Sequence, residues 1–238
     1  MDYLVLLSSI LAGAFTVLVL RLEKRGYVRL FSAFTGAYLL CITFFHLLPE
    51  LYGPGGIVGS QHYVIGVLIL AGFYLQILLD TISLGVEHGH THELHQRLPF
   101  GVMAGLCLHA FIEALALGDP RSHHDPASRR MLLWSIVIHN YPVSIALLGM
   151  LLHSGIGRRR SLILLAVFAA MGPLGMSLSS ISGLTRYSRE LTALVIGIFM
   201  HISTTILFES SDLHRFNLRK VFAILVGTVL GTLTVVLH

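Results

Sequence analysis

The stretch GVMAGLCLHAFIEALALG, residues 101–118, contains sixteen apolar or small residues among its eighteen. This is the composition of a bilayer-spanning α-helix, because about 20 residues rising about 1.5 Å each cross a hydrocarbon core of roughly 30 Å. The two exceptions, His109 and Glu113, lie near the middle of the run. A charged group at that depth costs about 3 kcal/mol or more, so we expect both side chains to face a partner or a polar cavity.

The composition of the whole chain is that of a membrane protein. Of the 238 residues, 55% are hydrophobic and 12% are charged, and the mean hydropathy is +0.79, whereas soluble domains carry about 25% charged residues. The formal net charge of +4 is explained by basic residues at loop ends, so we expect a lipid bilayer and not nucleic acid as the partner. Cys41 and Cys107 both lie in apolar runs, which predicts small core residues and no disulfide.

The apolar runs predict an all-α fold. This is a polytopic helix bundle with eight transmembrane helices in a single transmembrane domain, residues 1–238. No basic residue precedes the first run, so it is predicted to be a retained helix and not a signal peptide. The loop after the third run, residues 85–98, is rich in histidine. The predicted helices cover residues 3–20, 30–48, 63–84, 100–118, 131–152, 161–181, 191–208 and 221–237.

The distribution of Lys and Arg predicts the orientation of the bundle. Eleven of the sixteen basic residues lie in the connections after the first, third, fifth and seventh runs, and five lie in the other connections. Because cytoplasmic loops carry the excess of basic residues, these four connections are predicted to be cytoplasmic and both termini to be outside.

Polar residues on the fourth and fifth helices predict a metal site. His109 and Glu113 are four residues apart and therefore lie on one face of their helix. The next helix supplies His139 and Asn140, and Pro142 removes a backbone hydrogen bond one turn from them. Nitrogen and oxygen ligands of this kind suit zinc or another borderline divalent metal better than Na⁺. The plainer alternative is that the side chains only hydrogen-bond each other or a neighbouring helix.

Similar residues recur elsewhere in the chain as candidate accessory metal ligands. Each set also has a plainer structural explanation. The helix-end pairs also suit an anchoring role, the loop histidines also suit an ordinary surface loop, and Gln76 with Asp80 suits a polar bridge between helices better than a site. The accessory candidates are His46 and Glu50 on the second helix, His201 and Glu209 on the seventh, and His88, His90, His92 and His95 in the third loop.

Three motifs resemble the ZIP (Zrt/Irt-like) family of divalent metal transporters: HLLPE at 46–50, HAFIEALALG at 109–118 and HNYP at 139–142. The resemblance covers essentially the whole chain. It implies two inverted three-helix repeats around the fourth and fifth helices, a 3+2+3 arrangement. It also implies transport of Zn²⁺ or a related metal into the cytoplasm by a protein that is not an enzyme. The implied transport site comprises His109, Glu113 and His139, with Asn140 beside them.

The chain departs from the family pattern at two positions of these motifs. Many ZIP members carry Asn after the helix-four His and Glu after the helix-five Pro, where this chain has Ala110 and Val143. Glu113 is the sole carboxylate in 100–118, and 131–152 has none. Two divalent ions about 4 Å apart repel strongly unless anionic ligands screen them, so we expect one metal at this depth.

Two other functions stay open at this stage. An intramembrane zinc-dependent hydrolase also needs His ligands inside a bundle, and a transport-inactive metal-binding homologue fits the missing Glu at Val143. Imidazole and carboxylate accept Zn²⁺, Cd²⁺, Fe²⁺, Mn²⁺ and Co²⁺, so the sequence does not rank these cargoes, and it indicates no prosthetic group. A plasma membrane or bacterial inner membrane is the default location, and a homodimer is one option for the assembly.

Overall fold

The computed structural model describes residues 2–20, 25–52, 61–83, 100–118, 126–209 and 218–237. Within these ranges every regular element is helical, and eight helices are long and apolar enough to cross a membrane. The prediction of eight spanning helices is therefore confirmed. They are α1 (Asp2–Phe15), α2 (Arg25–Ile42), α3 (Gln61–Ser83), α4 (Phe100–Leu117), α5 (Pro126–His153), α6 (Arg158–Ser182), α7 (Ser188–Glu209) and α8 (Leu218–Val236).

Several helices begin before the apolar run that predicts them. Helix α2 begins at Arg25 instead of residue 30, and α5 begins at Pro126 instead of residue 131. Polar residues can continue a helix into the headgroup region, where water satisfies the first-turn N–H groups, and proline is favoured in a first turn. The hydropathy pattern therefore predicts the part of a helix that lies within the hydrocarbon core, and it underestimates the length of the whole helix.

Two of the helices continue as π-helix. Helix α1 runs on through Thr16–Leu20, and α2 runs on through Thr43–Leu47 before a last short helix, Leu48–Tyr52. Pro49 lies just after the second π-segment and has no N–H to donate, so the regular hydrogen-bond ladder is interrupted there. His46, one of the predicted accessory ligands, lies in this irregular segment.

The bundle is built around α5. Of the 18 most hydrophobic consecutive residues of α5, 83% are buried, whereas 11% are buried in the corresponding stretch of α8. The most extensive helix pairs are α2 with α8, α3 with α7, α4 with α6, and α1 with α5. Helix α5 therefore lies at the centre, and residues on it are shielded from lipid by the surrounding helices.

An arginine at the start of α5 contacts two other helices, α4 and α1. Arg129 donates from Nε to the carbonyl oxygen of Leu117, the last residue of α4, over 3.0 Å. Its Nη2 also lies 2.7 Å from Oδ2 of Asp2 on α1. The side chain satisfies a carbonyl that the end of α4 leaves without a helical partner. This fixes the ends of the two helices that carry the predicted metal ligands.

Glycines let α3 and α7 approach each other closely. A Cβ added at Gly72 would collide with the carbonyl oxygen of Leu194 on α7, and one added at Gly197 would collide with that of Ile69 on α3. Small residues at such crossings let backbones pack without a side chain between them. Close approach is also found at two pairs of glycines spaced four residues apart: Gly101 and Gly105 on α4 meet α3, and Gly227 and Gly231 on α8 meet α2.

We predict that Gly72→Ala and Gly197→Ala each lower the stability of the protein. The backbone carbonyls that they meet cannot move aside cheaply, and overpacking costs about 1–3 kcal/mol. The matched control is Gly66→Ala, also on α3, where the new Cβ would meet only Tyr52 Oη at 3.9 Å. Thermal unfolding in detergent measures the effect, and equal midpoints for all three variants would contradict the close α3–α7 packing.

Candidate metal centre

Three ligand-type side chains meet inside the bundle. One atom each from His109, Glu113 and His139 lies within 4.8 Å of the others, and all three residues are fully buried. Among the described residues, no other group of three or more His, Cys, Asp or Glu side chains lies close enough to hold a metal ion. The structure thus brings together the three residues that the sequence singled out.

The helix geometry explains why these residues converge. His109 and Glu113 lie one turn apart on α4, on the face that is buried in the bundle. His139 lies near the middle of α5, the most buried helix, and its ring meets that of His109 edge to face with centroids 5.8 Å apart. Ligands from two packed helices thereby surround one point deep in the bundle.

The carboxylate of Glu113 needs a positive partner. Oε1 lies 3.1 Å from Nε2 of His109, but the angles of this contact are not those of a hydrogen bond, and among the described residues neither carboxylate oxygen receives one. At such angles the contact stabilises the carboxylate little, because hydrogen bonds weaken steeply when misaligned. A buried carboxylate without donors is strongly unfavourable, so a cation or a proton has to neutralise it. Two atoms aimed at a common point between them suit a shared cation.

The separation of two of the ligand atoms fits a borderline divalent ion. Ligand atoms about 2.0–2.1 Å from a tetrahedral zinc lie roughly 3.3 Å from one another, close to the 3.1 Å between Nε2 of His109 and Oε1 of Glu113. Asn140 is also buried, and no described residue donates a hydrogen bond to its Oδ1. Three strong ligands leave a coordination position open, which an amide oxygen or water can fill.

Two positions next to the group, one on each helix, are apolar. Helix α5 continues through Pro142, whose missing N–H leaves the carbonyl of Ile138 without its usual helical donor. Val143, one turn after His139, and Ala110, next to His109, are buried in one hydrophobic cluster. These two positions therefore offer no ligand for a second ion.

The structure adds Gln76 to the surroundings of the site. Its Oε1 lies 3.0 Å from Nδ1 of His109, and its Nε2 donates to Oδ1 of Asp80 over 3.0 Å. Oδ2 of Asp80 lies 2.6 Å from Nε2 of His201 on α7. The interpretation of Gln76 and Asp80 as a polar bridge between helices is confirmed, and the bridge also reaches a candidate ligand. Their spacing of four residues predicts that Gln76 and Asp80 lie on the same face of α3. It does not predict which helix packs against that face.

The accessory candidates lie outside the group of three. His46 hydrogen-bonds Ser128 at the start of α5, over 2.8 Å between Nε2 and Oγ, and His201 bonds Asp80. Glu50 lies within the last short helix, Leu48–Tyr52, and is partly buried. Two sets fall outside what the structure describes: the side chain of Glu209, and the loop residues His88, His90, His92 and His95.

Comparison with known proteins points to one family. A family model described as ZIP zinc transporter matches residues 87–237. The zinc transporter ZIP9-B of Xenopus laevis is 29% identical over 136 residues, which are 55% of this chain and 44% of that protein. Zinc transporter ZIP9 of Micropogonias undulatus is 29% identical over 157 residues, 60% of this chain and 50% of that protein. The chain spans about half the length of the curated relatives it matches.

We predict that His109→Ala, Glu113→Gln and His139→Ala each weaken Cd²⁺ binding by more than about 100-fold. Loss of a direct ligand should exceed the roughly 10–100-fold effect of residues that only support ligands. Glu113→Gln keeps the side-chain volume and removes the charge, and His62→Ala, at an exposed position of α3, is the control. Isothermal titration in detergent measures the affinities. Unchanged binding in any of the three site variants would remove that residue from the site.

Proposed function

Since the chain belongs to the ZIP zinc-transporter family, a family of transporters and not of enzymes, we propose that it carries Zn²⁺ or a related divalent metal into the cytoplasm. The protein is a multi-pass integral membrane protein. We assign the transport site to His109, Glu113 and His139, with the amide oxygen of Asn140 beside the coordination position that they leave open. The observation that carries the proposal is the fully buried Glu113 carboxylate, which two imidazoles approach and to which no described group donates a hydrogen bond.

The ligand set suits a passing ion better than a permanent one. Structural zinc sites are usually closed by four protein ligands, several of them thiolates, whereas this group has three ligands and no cysteine. An ion in transit must bind well enough to enter and weakly enough to leave. Three ligands with an open position meet that requirement. Catalytic zinc sites have the same kind of open ligand set, so membership of a family of transporters, and not the ligand count, favours transport over hydrolysis.

The pattern of helix contacts supports an inverted repeat. If α1, α2 and α3 are exchanged with α6, α7 and α8, and α4 with α5, the pair α1–α5 becomes α6–α4, and α3–α7 becomes α8–α2. These are the four most extensive pairs of the bundle. The two site helices are then equivalent, as transporters with a midplane site between inverted repeats require. This supports the 3+2+3 arrangement.

The distribution of Lys and Arg supports cytoplasmic connections after α1, α3, α5 and α7, and hence outward-facing termini. A plasma membrane or a bacterial inner membrane is the location we propose. The loop histidines His88, His90, His92 and His95 then lie on the cytoplasmic side, where they would receive metal without forming the pathway. We assign His46 and Glu50 to the outer end, as an entry relay.

We further propose that the site holds one metal. Val143 and Ala110 are buried among apolar side chains, and Asp80 is already bonded to Gln76 and His201. A second divalent ion would add roughly 17 kcal/mol of Coulomb repulsion at about 4 Å with an effective dielectric of 20, before any screening by anionic ligands.

The transport proposal predicts loss of flux in site variants that remain folded. In proteoliposomes with an internal zinc-sensitive dye, Glu113→Gln and His109→Ala should lower the initial Zn²⁺ uptake at least about 100-fold, because the desolvated ion loses a ligand. The His62→Ala control should transport like the unmodified protein. Size-exclusion profiles establish that each variant is folded.

Other outcomes of the flux assay identify the alternatives. Site variants that transport normally would refute the assigned site. An unmodified protein that binds Cd²⁺ through these residues but gives no flux would be a transport-inactive homologue. Zinc that survives dialysis, together with turnover of a lipid amide, would indicate a hydrolase.

The single-metal proposal predicts that Val143→Glu creates a second position. The new carboxylate would lie one turn from His139 and could bridge two ions, so the number of bound Cd²⁺ should rise from one to two and release should slow. Val143→Gln has nearly the same shape without the charge and should still bind one. Titration against protein concentration counts the ions, and two bound ions in the unmodified protein would contradict the proposal.

A further inference from the structure

A chain of hydrogen bonds links the metal site to α7. It runs from Nδ1 of His109 to Oε1 of Gln76, from Nε2 of Gln76 to Oδ1 of Asp80, and from Oδ2 of Asp80 to Nε2 of His201. Gln76 is fully buried, and the side chains of Asp80 and His201 are 15% and 13% exposed. The chain therefore connects a ligand at the site to a pair that lies nearer the surface of the bundle.

The pair of Asp80 and His201 sets the orientation of the Gln76 amide. A carboxylate accepts hydrogen bonds and does not donate them, so it selects the NH₂ end of the amide. His201 donates to the other carboxylate oxygen over 2.6 Å, which holds the carboxylate in place beside Gln76. The amide oxygen of Gln76 is then left to face His109.

The orientation of Gln76 in turn sets the tautomer of His109. An amide oxygen only accepts, so Nδ1 of His109 has to carry the proton that it donates to Gln76. In a neutral imidazole the other nitrogen, Nε2, then has a free lone pair. Nε2 is the atom 3.1 Å from Oε1 of Glu113. Without Gln76, a proton on Nε2 could instead be donated to Glu113, and this would block the nitrogen from binding a metal.

We propose that Gln76, oriented by the pair of Asp80 and His201, is a positioning residue that holds His109 in the tautomer with its proton on Nδ1. Nε2 is thereby kept ready for the metal before the metal arrives. This inference rests on the proposed assignment of His109 as a ligand. Ligating histidines generally donate their second N–H to a supporting group, and loss of that group weakens metal binding about 10–100-fold.

The variants separate orientation from packing. Gln76→Leu removes both hydrogen bonds, and Gln76→Glu restores an acceptor for Nδ1. Asp80→Asn keeps the shape of the carboxylate but no longer selects one end of the amide. Thr204→Val on α7 is the control, because the Thr204 hydroxyl donates to backbone carbonyls of its own helix.

The experiment reads the tautomer directly. Long-range proton–nitrogen NMR correlations of ¹⁵N-histidine-labelled protein in detergent distinguish Nδ1–H from Nε2–H, and the signals absent from His109→Ala identify His109. We expect Nδ1–H in the unmodified protein and in Thr204→Val, Nε2–H in Gln76→Leu, and a mixture in Asp80→Asn. Cd²⁺ affinity should fall about 10–100-fold in Gln76→Leu and recover at least partly in Gln76→Glu.

Each result bears on the proposal. A proton on Nε2 of His109 in the unmodified, metal-free protein overturns it, with no variant needed. Gln76→Leu that keeps Nδ1–H and binds Cd²⁺ within about twofold of the unmodified protein also overturns it. If His109→Ala binds Cd²⁺ normally, the site assignment itself is wrong. If His109→Ala loses binding and Gln76→Leu does not, the site stands and only the positioning role fails.

Discussion

The structure depends on how a carboxyl group is accommodated inside an apolar bundle. Glu113 is fully buried on α4, and among the described residues no group donates a hydrogen bond to it. Such a group is tolerated only if a cation or a proton neutralises it, because the low-dielectric interior cannot solvate its charge. The two imidazoles supply lone pairs instead of a fixed charge, which leaves room for a divalent ion. A lysine or arginine at the same place would neutralise the carboxylate permanently and leave nothing for a cargo ion to do.

The packing of the bundle serves this arrangement. Helix α5 is central, so His139 is kept from lipid on all sides, and Arg129 at its start holds the end of α4 in place. Glycine contacts draw α3 against α7 and α4 against α3. This brings Gln76 within hydrogen-bond distance of His109. The site is thus supported by helices that contribute no metal ligand themselves.

Much of this could be predicted from the sequence, for identifiable reasons. Apolar runs of spanning length predict eight helices because the bilayer fixes the length, and a spacing of four places His109 and Glu113 on one face. Helix ends were predicted too short, since polar residues continue a helix outside the hydrocarbon. The contact between Gln76 and His109 depends on which helices pack together and at what rotation, and local spacing carries no information on either. The π-segments of α1 and α2 were likewise missed, although Pro49 signals the second one.

The central claim is that one divalent ion binds between α4 and α5. Anomalous diffraction from crystals soaked in Cd²⁺ tests it most directly, because it locates the ion without reference to flux. We predict a single strong peak at bonding distance from Nε2 of His109, the carboxylate of Glu113 and the ring of His139. Two peaks about 4 Å apart at this depth, or no peak beside these residues in a protein that binds Cd²⁺ in solution, would contradict the claim.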